Sequence, residues 1–189
     1  MAKITVELDD DLEERAENAI EEAKEALIEH LDNYPSDSMP RSLDDFCDPH
    51  EIADSATPVY TRDIETAWFL HSSELEEAYE NSGLGSNPRE HDGQTAIYAY
   101  ISQELNKWFY QDAESVYEDW KEGFICRLQE EANTRFPQGT TTVIEDATVV
   151  IESIEFLDLE EIEVTGFLLG SEDAEVFIVT DLDDLEKVN

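Results

Sequence analysis

Most of the side chains that could do chemistry in this chain are carboxylates. Its 189 residues include 49 Asp and Glu against 11 Lys and Arg, with four His and two Cys, for a net charge of −38 at pH 7. Carboxylates act as general acids or bases, as ligands for hard cations, or as contacts for basic proteins. Which of these uses applies depends on their spacing and on the elements that hold them.

The carboxylate spacing does not match the common metal-binding motifs. A calcium-binding EF-hand loop starting at Asp9 needs glycine at its sixth position, which is Glu14 here. A di-iron helical bundle needs Glu three residues before His, and none of the four His has one. His71 and Glu74 share a helix face, an arrangement more typical of an exposed pair than of a metal site. We therefore expect no metal and no cofactor.

Motifs of nucleophilic or phosphate chemistry are also missing from the sequence. It contains no phosphate-binding glycine loop and no nucleophile elbow. A catalytic carboxylate pair among so many acids stays an alternative, but nothing in the sequence marks one pair out. We therefore expect a binding protein and not an enzyme.

Composition indicates a folded protein of a reducing compartment. Aromatic residues make up 10% of the chain, far more than acidic disordered chains carry. Cys47 and Cys126 lie too far apart to indicate a disulfide framework, and no signal or membrane-spanning pattern is present. These features predict a cytoplasmic location.

The negative charge is spread along the chain and is not an acidic tail. Residues 1–47, 48–124 and 125–189 carry net charges of −11, −13 and −14. Such a field repels nucleic acid and anionic membranes, which excludes both as direct ligands. It leaves a basic protein partner, bound cations, or adaptation to concentrated salt.

The N-terminal region predicts a short strand, Ile4 to Leu8, followed by a helix that starts at Asp9 to Asp11 and ends near Asn33. One helix face is apolar, with Leu12, Ala16, Ala19, Ile20, Ala23, Leu27 and Leu31. A second stripe is acidic, with Glu14, Glu17, Glu21, Glu25, Glu29 and Asp32. Like charges at this spacing cost roughly 0.2–0.5 kcal/mol per pair.

The middle of the chain predicts more helices. We expect them near Pro49 to Ala56, Val59 to His71 and Ser73 to Asn81, with Pro58 forcing a bend or restart. A long helix is predicted from about Asp92 to Asn133. Its apolar side, expected to form core and a dimer contact, carries Ile97, Ile101, Leu105, Trp108, Phe109, Val116, Trp120 and Phe124.

The last third of the chain changes to strand patterns. The stretches TVVIESIEFL, EIEVTGFLL and AEVFIVTDL, with GSED as a hairpin turn, predict an antiparallel sheet from about Thr142 to Leu182. The fold class is therefore α+β: an acidic α-helical bundle with a small C-terminal β-sheet. We expect three parts, residues 1–40, 41–136 and 137–189, of which the second is the helical domain.

Two short motifs within residues 44–122 carry a family resemblance. The first has the pattern AD-x-A-x-P-x-Y-x-x-DI from Ala53 to Ile64, and the second has the pattern E-x-SGL from Glu80 to Leu84. With Ile101, Leu105 and the Asp112, Ala113, Glu114 run, this region resembles the Ocr-like antirestriction proteins of phages, which mimic DNA. The resemblance covers about two fifths of the chain.

The resemblance implies a helical dimer in the host cytoplasm whose carboxylates imitate DNA phosphates. The implied partner is a type I restriction-modification enzyme or a related methylation-based defence system, whose DNA groove the mimic fills. At matched positions the expected phosphate stand-ins are Asp54, Asp63, Glu80, Asp112 and Glu114. Helical geometry alone adds Glu76, Glu77, Glu118 and Asp119.

The amount of charge suits a DNA mimic. The 38 net negative charges equal the charge on roughly 65 Å of duplex, about two helical turns. A compact chain of this length has a radius of gyration of only about 16 Å. The charge density is therefore comparable to that of DNA.

Three alternatives stay open from sequence. The chain could be an inhibitor or chaperone of another basic DNA-binding protein, a halophile protein of unrelated function, or a calcium buffer. Glu outnumbers Asp by 30 to 19, and large apolar residues are plentiful, which argues against the halophile. Folding at low salt and stabilisation by calcium test these alternatives.

Overall fold

The computed structural model describes residues 12–83 and 93–187. The chain divides into two compact units. We call Met1–Asn33 with Pro40–Val116 the helical unit, and Tyr34–Met39 with Tyr117–Asn189 the sheet unit. Within the described residues, six α-helices precede a C-terminal antiparallel sheet of four strands, to which a two-residue strand adds at one edge. This confirms the α+β class. The predicted strand Ile4 to Leu8 and the Asp9 to Asp11 helix start lie outside the described residues.

Five helices belong to the helical unit, and a sixth begins in it. Their bounds are α1 Leu12–Asn33, α2 Pro49–Ala56, α3 Thr61–Leu70, α4 Ser72–Asn81, α5 Gly93–Gln111 and α6 Ala113–Arg135. No described helix is long and apolar enough to cross a membrane.

The core of the helical unit forms around α5, which packs against α1, α2, α3 and α4. Ile97, Ile101 and Leu105 of α5 are almost completely buried, as Leu27 and Leu31 of α1 are. The predicted apolar stripe of α1 is buried at every position except Ile20, which is half-buried. Burial of this face holds the acidic face of the same helix toward solvent.

Local signals set the ends of α2 and the start of α3. The Asp48 carboxylate accepts hydrogen bonds from the backbone N–H groups of His50 (3.0 Å) and Glu51 (3.2 Å), with Pro49 at the first helical position. Thr57, which precedes Pro58, has ψ of 127°, so α2 ends there. The helix restarts at Thr61, which confirms the predicted interruption.

The single long helix predicted from Asp92 to Asn133 is wrong, because the structure has two helices with Asp112 between them. The Asp112 N–H donates to the Trp108 carbonyl at 2.8 Å, and the Ser115 N–H donates to the Asp112 carbonyl at 3.1 Å. Asp is a preferred residue at a helix start, since it competes with the helix for backbone hydrogen bonds. The predicted apolar side still holds: six of its eight residues are buried, while Val116 and Phe124 are half-buried.

The sheet unit contains β1 Thr141–Ile144, β2 Ala147–Asp158, β3 Glu161–Leu168, β4 Ala174–Val179 and the short β5 Glu186–Lys187, in the order β4-β3-β2-β1-β5. All the pairings are antiparallel. One sheet face packs on the C-terminal part of α6, through residues that include Ala132, Phe136, Val149, Ile162 and Val164. The three predicted strands and the GSED turn are confirmed, with Gly170 at φ 96°.

The turn between β1 and β2 has no glycine. Its two residues, Glu145 and Asp146, have φ of 49° and 65°. A two-residue turn with both φ values positive matches the twist of the flanking strands, and it normally contains Asn-Gly or Asp-Gly. For most residues with a Cβ this conformation costs roughly 1–2 kcal/mol. Asp adopts it more readily than Glu does, so the strain lies mainly at Glu145.

Replacing this turn by Glu145→Asn with Asp146→Gly should stabilise the sheet unit by about 1 kcal/mol. Both new residues tolerate positive φ, which relieves the strain, and the larger entropy that glycine loses on folding offsets part of this gain. Thermal unfolding measures the change. The matched control is Gly170→Ala, which forces a Cβ onto positive φ and should lower stability. An unchanged or lower melting temperature for the double variant would show that the native turn is not strained.

Candidate interaction surface

The acidic face of α1 carries a regular row of carboxylates, which we call the α1 row. It consists of Glu14, Glu17, Glu21, Glu25, Glu29 and Asp32, and every member is exposed. From Glu14 to Asp32 the helix rises by about 27 Å, so one carboxylate occurs every 5 Å or so. One strand of duplex DNA carries a phosphate about every 3.4 Å of axis. The row therefore has a charge spacing of the same order as a DNA strand.

Part of the α1 row faces an open groove of about 670 Å³ within the helical unit, which we call the acidic groove. Glu17 and Glu21 line it from α1, and Glu104, Lys107 and Asp112 line it from α5 and the residue that follows. Two lysines in the groove are held by neighbouring acids: Lys24 pairs with Glu21 at 3.1 Å and Lys107 with Glu104 at 3.2 Å. Four carboxylates against two ammonium groups leave the groove negative.

The predicted site residues of the helical unit lie on several helices. Asp54 on α2, Glu77 and Glu80 on α4, Asp112, and Glu114 in the first turn of α6 are exposed. Asp63, in the first turn of α3, and Glu76 are half-buried. The structure brings Glu76, Glu77 and Glu80 together on one helix, and it places Asp112 with Glu17 and Glu21 in the acidic groove.

Glu118 and Asp119 belong to the sheet unit, where both are exposed. They line an open groove of about 420 Å³ together with Lys121, Glu122 and Asp158. The structure thus brings these two predicted residues together, with a lysine and two further acids around them.

Lys121 holds an ion cluster in the sheet unit. Its Nζ lies 2.5 Å from Asp158 Oδ1 and 3.6 Å from Asp37 Oδ1. The hydrogen bond from Lys121 lowers the pKa of Asp158, whereas burial and the hydrogen bond to Asp158 raise the pKa of Asp37. The hydrogen bond with Asp158 also raises the pKa of Lys121. Because Asp37 lies in the segment 34–39, the cluster joins this segment to α6 and β2.

A further groove in the helical unit, of about 470 Å³, has a different character. It is lined by alanines and by neutral polar groups, among them Asn81, Gln103 and Asn106. His50 Nδ1 hydrogen-bonds the Tyr98 hydroxyl, and the two rings stack at 6.4 Å. Apart from His50 and Tyr98, its polar lining consists of amide and serine groups.

Metal ligation and the chemistry of the Cys47 thiol can be assessed within the described ranges. Across residues 12–83 and 93–187, no group of three or more His, Cys, Asp or Glu is arranged to hold a metal ion. Burial, with the nearby charges of Asp44 and Asp48, raises the pKa of the Cys47 thiol to about 11. At neutral pH this thiol is protonated, which suits packing and not nucleophilic attack.

Comparison with family models, with curated proteins and with solved structures finds no match to this chain.

The site residues predicted from the family resemblance and helical geometry include none of the six acids of the α1 row. The α1 row lies outside the resembling region, so motif matching could not select it. Its signal was nevertheless in the sequence, because Glu and Asp recur every three or four residues beside a separate apolar stripe. The place of Glu104 in the acidic groove could not be predicted, because it depends on the packing of α5 against α1.

The opposite pKa directions at Lys121 predict opposite effects of two similar substitutions. Asp158→Asn should destabilise the protein at pH 7 by roughly 0.5 kcal/mol, because it removes an ionised partner of Lys121 that is partly exposed. Asp37→Asn should leave stability unchanged or raise it, since the folded state disfavours ionised Asp37. Thermal melts of the two variants at matched salt measure both effects.

The pH dependence gives the control for this pair. The stability contributed by Asp158 is present above the ordinary carboxylate pKa and is lost as pH falls through its lowered pKa. The stability contributed by protonated Asp37 is present below the ordinary carboxylate pKa and is lost as pH rises through the raised pKa of Asp37. The difference between the two variants should therefore shrink below pH 4 or so, and a constant difference would rule out the assignment.

Proposed function

We propose that this protein is a DNA mimic that inhibits a DNA-binding defence enzyme by occupying its DNA groove. The target class is a type I restriction-modification enzyme or a related methylation-based system. The α1 row carries the proposal: six exposed carboxylates at regular spacing on a helix whose other face is buried. A charge array fixed in this way is more typical of a surface that replaces phosphates than of a solubilising tail.

Fixed carboxylates suit this role energetically. A partner's groove of Lys and Arg attracts a strongly acidic protein over long range, which speeds association. Because Leu27, Leu31 and the rest of the buried stripe hold α1 in place, little backbone ordering is needed on binding. The acids then occupy the positions that DNA phosphates would take, and DNA is excluded.

The burial of the resembling motif is consistent with the proposal. In the first pattern, Ala53 and Pro58 are buried, whereas Asp54 is exposed and Asp63 is half-exposed. Within the motif, Ala53 and Pro58 serve the packing of the helical unit, whereas Tyr60 and Asp54 are exposed. A mimic of phosphates needs buried apolar residues that hold the fold and exposed acids that contact the partner.

The mechanism needs no catalysis and no recognition of base sequence. A surface of carboxylates presents charge and spacing but no base edges, which are the groups that carry sequence information. We therefore propose inhibition that is stoichiometric and independent of the recognition site. The partner is a basic DNA-binding protein, and the mimic acts as a homodimer, as the family resemblance implies.

A competition assay tests this function. A purified type I restriction-modification enzyme is bound to labelled duplex and titrated with this protein at two salt concentrations. We expect stoichiometric displacement of DNA that weakens as salt rises, because ion release and charge attraction both fall. Displacement should not depend on the duplex sequence outside or inside the site. Retention of DNA at a large excess of folded protein would reject the restriction target.

Neutralising the matched acids should weaken this inhibition. The variant with Asp54→Asn, Asp63→Asn, Asp112→Asn and Glu114→Gln should raise the inhibitor concentration needed by roughly tenfold or more, since each lost charge contact removes several tenths of a kcal/mol. The control removes the same number of charges from exposed positions of the sheet unit, at Glu130, Glu131, Glu152 and Glu155. Equal losses in both variants would show that only total charge matters.

Salt dependence of folding separates the mimic from a halophile protein. We expect cooperative thermal unfolding already at low ionic strength, with a melting temperature that rises as salt screens the repulsion among carboxylates. A halophile protein of this charge should instead be unfolded until salt is added. Circular dichroism across a salt series makes the measurement, and a calcium series alongside it tests the buffering alternative.

A further inference from the structure

Strand β4 lies at one edge of the sheet. Among the described residues it pairs with β3 on one side only, through partners such as Val176 with Thr165 and Ile178 with Glu163. Alternate N–H and C=O groups of an edge strand point away from the sheet and are available to another strand. The opposite edge, β5, is two residues long and offers far less.

Among the described residues, this edge lacks several of the features by which proteins usually prevent strand addition. Between Leu169 and Asp184 the sequence contains no Lys, Arg or Pro. No bulge interrupts the pairing of β4 with β3. Proteins normally protect an edge with such residues, with bulges, or by covering it. An unprotected strand of high β propensity would promote self-association unless something else opposes it.

The side chains on the outward face of β4 are aliphatic and exposed. Val176 is 58% exposed and Ile178 is 51% exposed, while Phe177 and Val179, which point the other way, belong to the core side of the sheet. Leu169, in the turn before the strand, is 71% exposed. Two β-branched side chains beside an open backbone edge form a surface suited to an extended segment.

Carboxylates surround this apolar strip. Glu172, Asp173 and Glu175 lie at the start of β4, and all three are exposed. On the neighbouring strands Glu163, opposite Ile178, is itself opposite Glu155. Like charges directly opposite on a sheet are destabilising. The surroundings of β4 are therefore strongly negative.

The charge around β4 also selects the occupant. A second copy of this chain would bring the same acids to the edge, and their repulsion opposes pairing between copies at β4. A basic segment gains attraction from the same acids. Charge complementarity therefore favours a strand in which Lys or Arg alternates with aliphatic residues.

We propose that β4 is a docking edge for an extended basic segment of another protein, which adds to the sheet as a further strand. The six residues of β4 span about 20 Å, so the segment is about six residues long. Its aliphatic side chains contact Val176 and Ile178, and its cationic side chains, which alternate with them, lie on the face that carries Glu175. This site is in the sheet unit and does not depend on the DNA-mimic function.

The test uses the full chain, isotope-labelled, with the acetylated and amidated peptide Lys-Val-Lys-Val-Lys-Val-Lys at physiological ionic strength. Amide NMR spectra and hydrogen exchange locate the bound peptide. We expect shifts and slowed exchange at β4 amides. Methylating alternate backbone nitrogens of the peptide on one edge should weaken binding by more than roughly tenfold, and methylating the other edge should not, because only one edge pairs.

Substitutions in the protein give the second arm. Val176→Lys with Ile178→Lys should weaken binding by roughly tenfold or more, since lysines on an edge oppose strand addition. The control with the same charge change, Val59→Lys with Leu157→Lys, replaces exposed aliphatic residues elsewhere and should bind normally. Amide spectra of each variant away from the substitutions show that it remains folded.

Three results would overturn the proposal. Equal binding of both methylated peptides would show that charge alone attracts the peptide. Shifts confined to the acidic helices would place it elsewhere. Slowed exchange at β4 that depends on protein concentration, without peptide, would make a second copy the occupant.

Discussion

Repulsion among carboxylates is the constraint that the rest of this structure accommodates. Each acid on α1 lies within a turn of another, and Lys24 relieves this repulsion at Glu21. What offsets the repulsion is burial on the opposite face, where Leu12, Leu27 and Leu31 are almost fully removed from water. At roughly 1.5–3 kcal/mol for each large side chain, this burial exceeds the penalty of a few tenths of a kcal/mol per acidic pair.

In the sheet unit, too, core burial offsets the repulsion among carboxylates, here with help from ion pairs. There the acids lie on strands, where Glu155 is opposite Glu163 and Asp158 is opposite Glu161. Lys121 and Arg135 provide local compensation, with Arg135 contacting Asp183 at 2.6 Å. The core between α6 and the sheet, with Val149 and Val164 completely buried, supplies the stabilisation. Both units therefore tolerate strong repulsion because their apolar residues are concentrated on the inner faces.

Sequence patterns predicted most elements because their signals are local. Asp48 and Pro49 start α2, Pro58 separates α2 from α3, and Gly170 lies in the last hairpin turn. The break at Asp112 was missed because the apolar period continues from Trp108 to Val116 across it. The Glu145–Asp146 turn was missed because Glu is uncommon at positive φ and the turn has no glycine. For the site, the α1 row was visible as a stripe, but the acidic groove and the Lys121 cluster depend on contacts distant in sequence, such as Lys121 with Asp37.

The two thiols differ in a way that makes the molecule convenient for spectroscopy. Cys126 is exposed on α6, whereas Cys47 is half-buried, and its Sγ donates to the Leu43 carbonyl at 3.4 Å. Because the pKa of Cys47 is raised to about 11, little of it is in the reactive thiolate form at neutral pH. A maleimide dye would therefore attach selectively at Cys126 in the native sequence. That gives a single fluorescent reporter without any change to the charges of the protein.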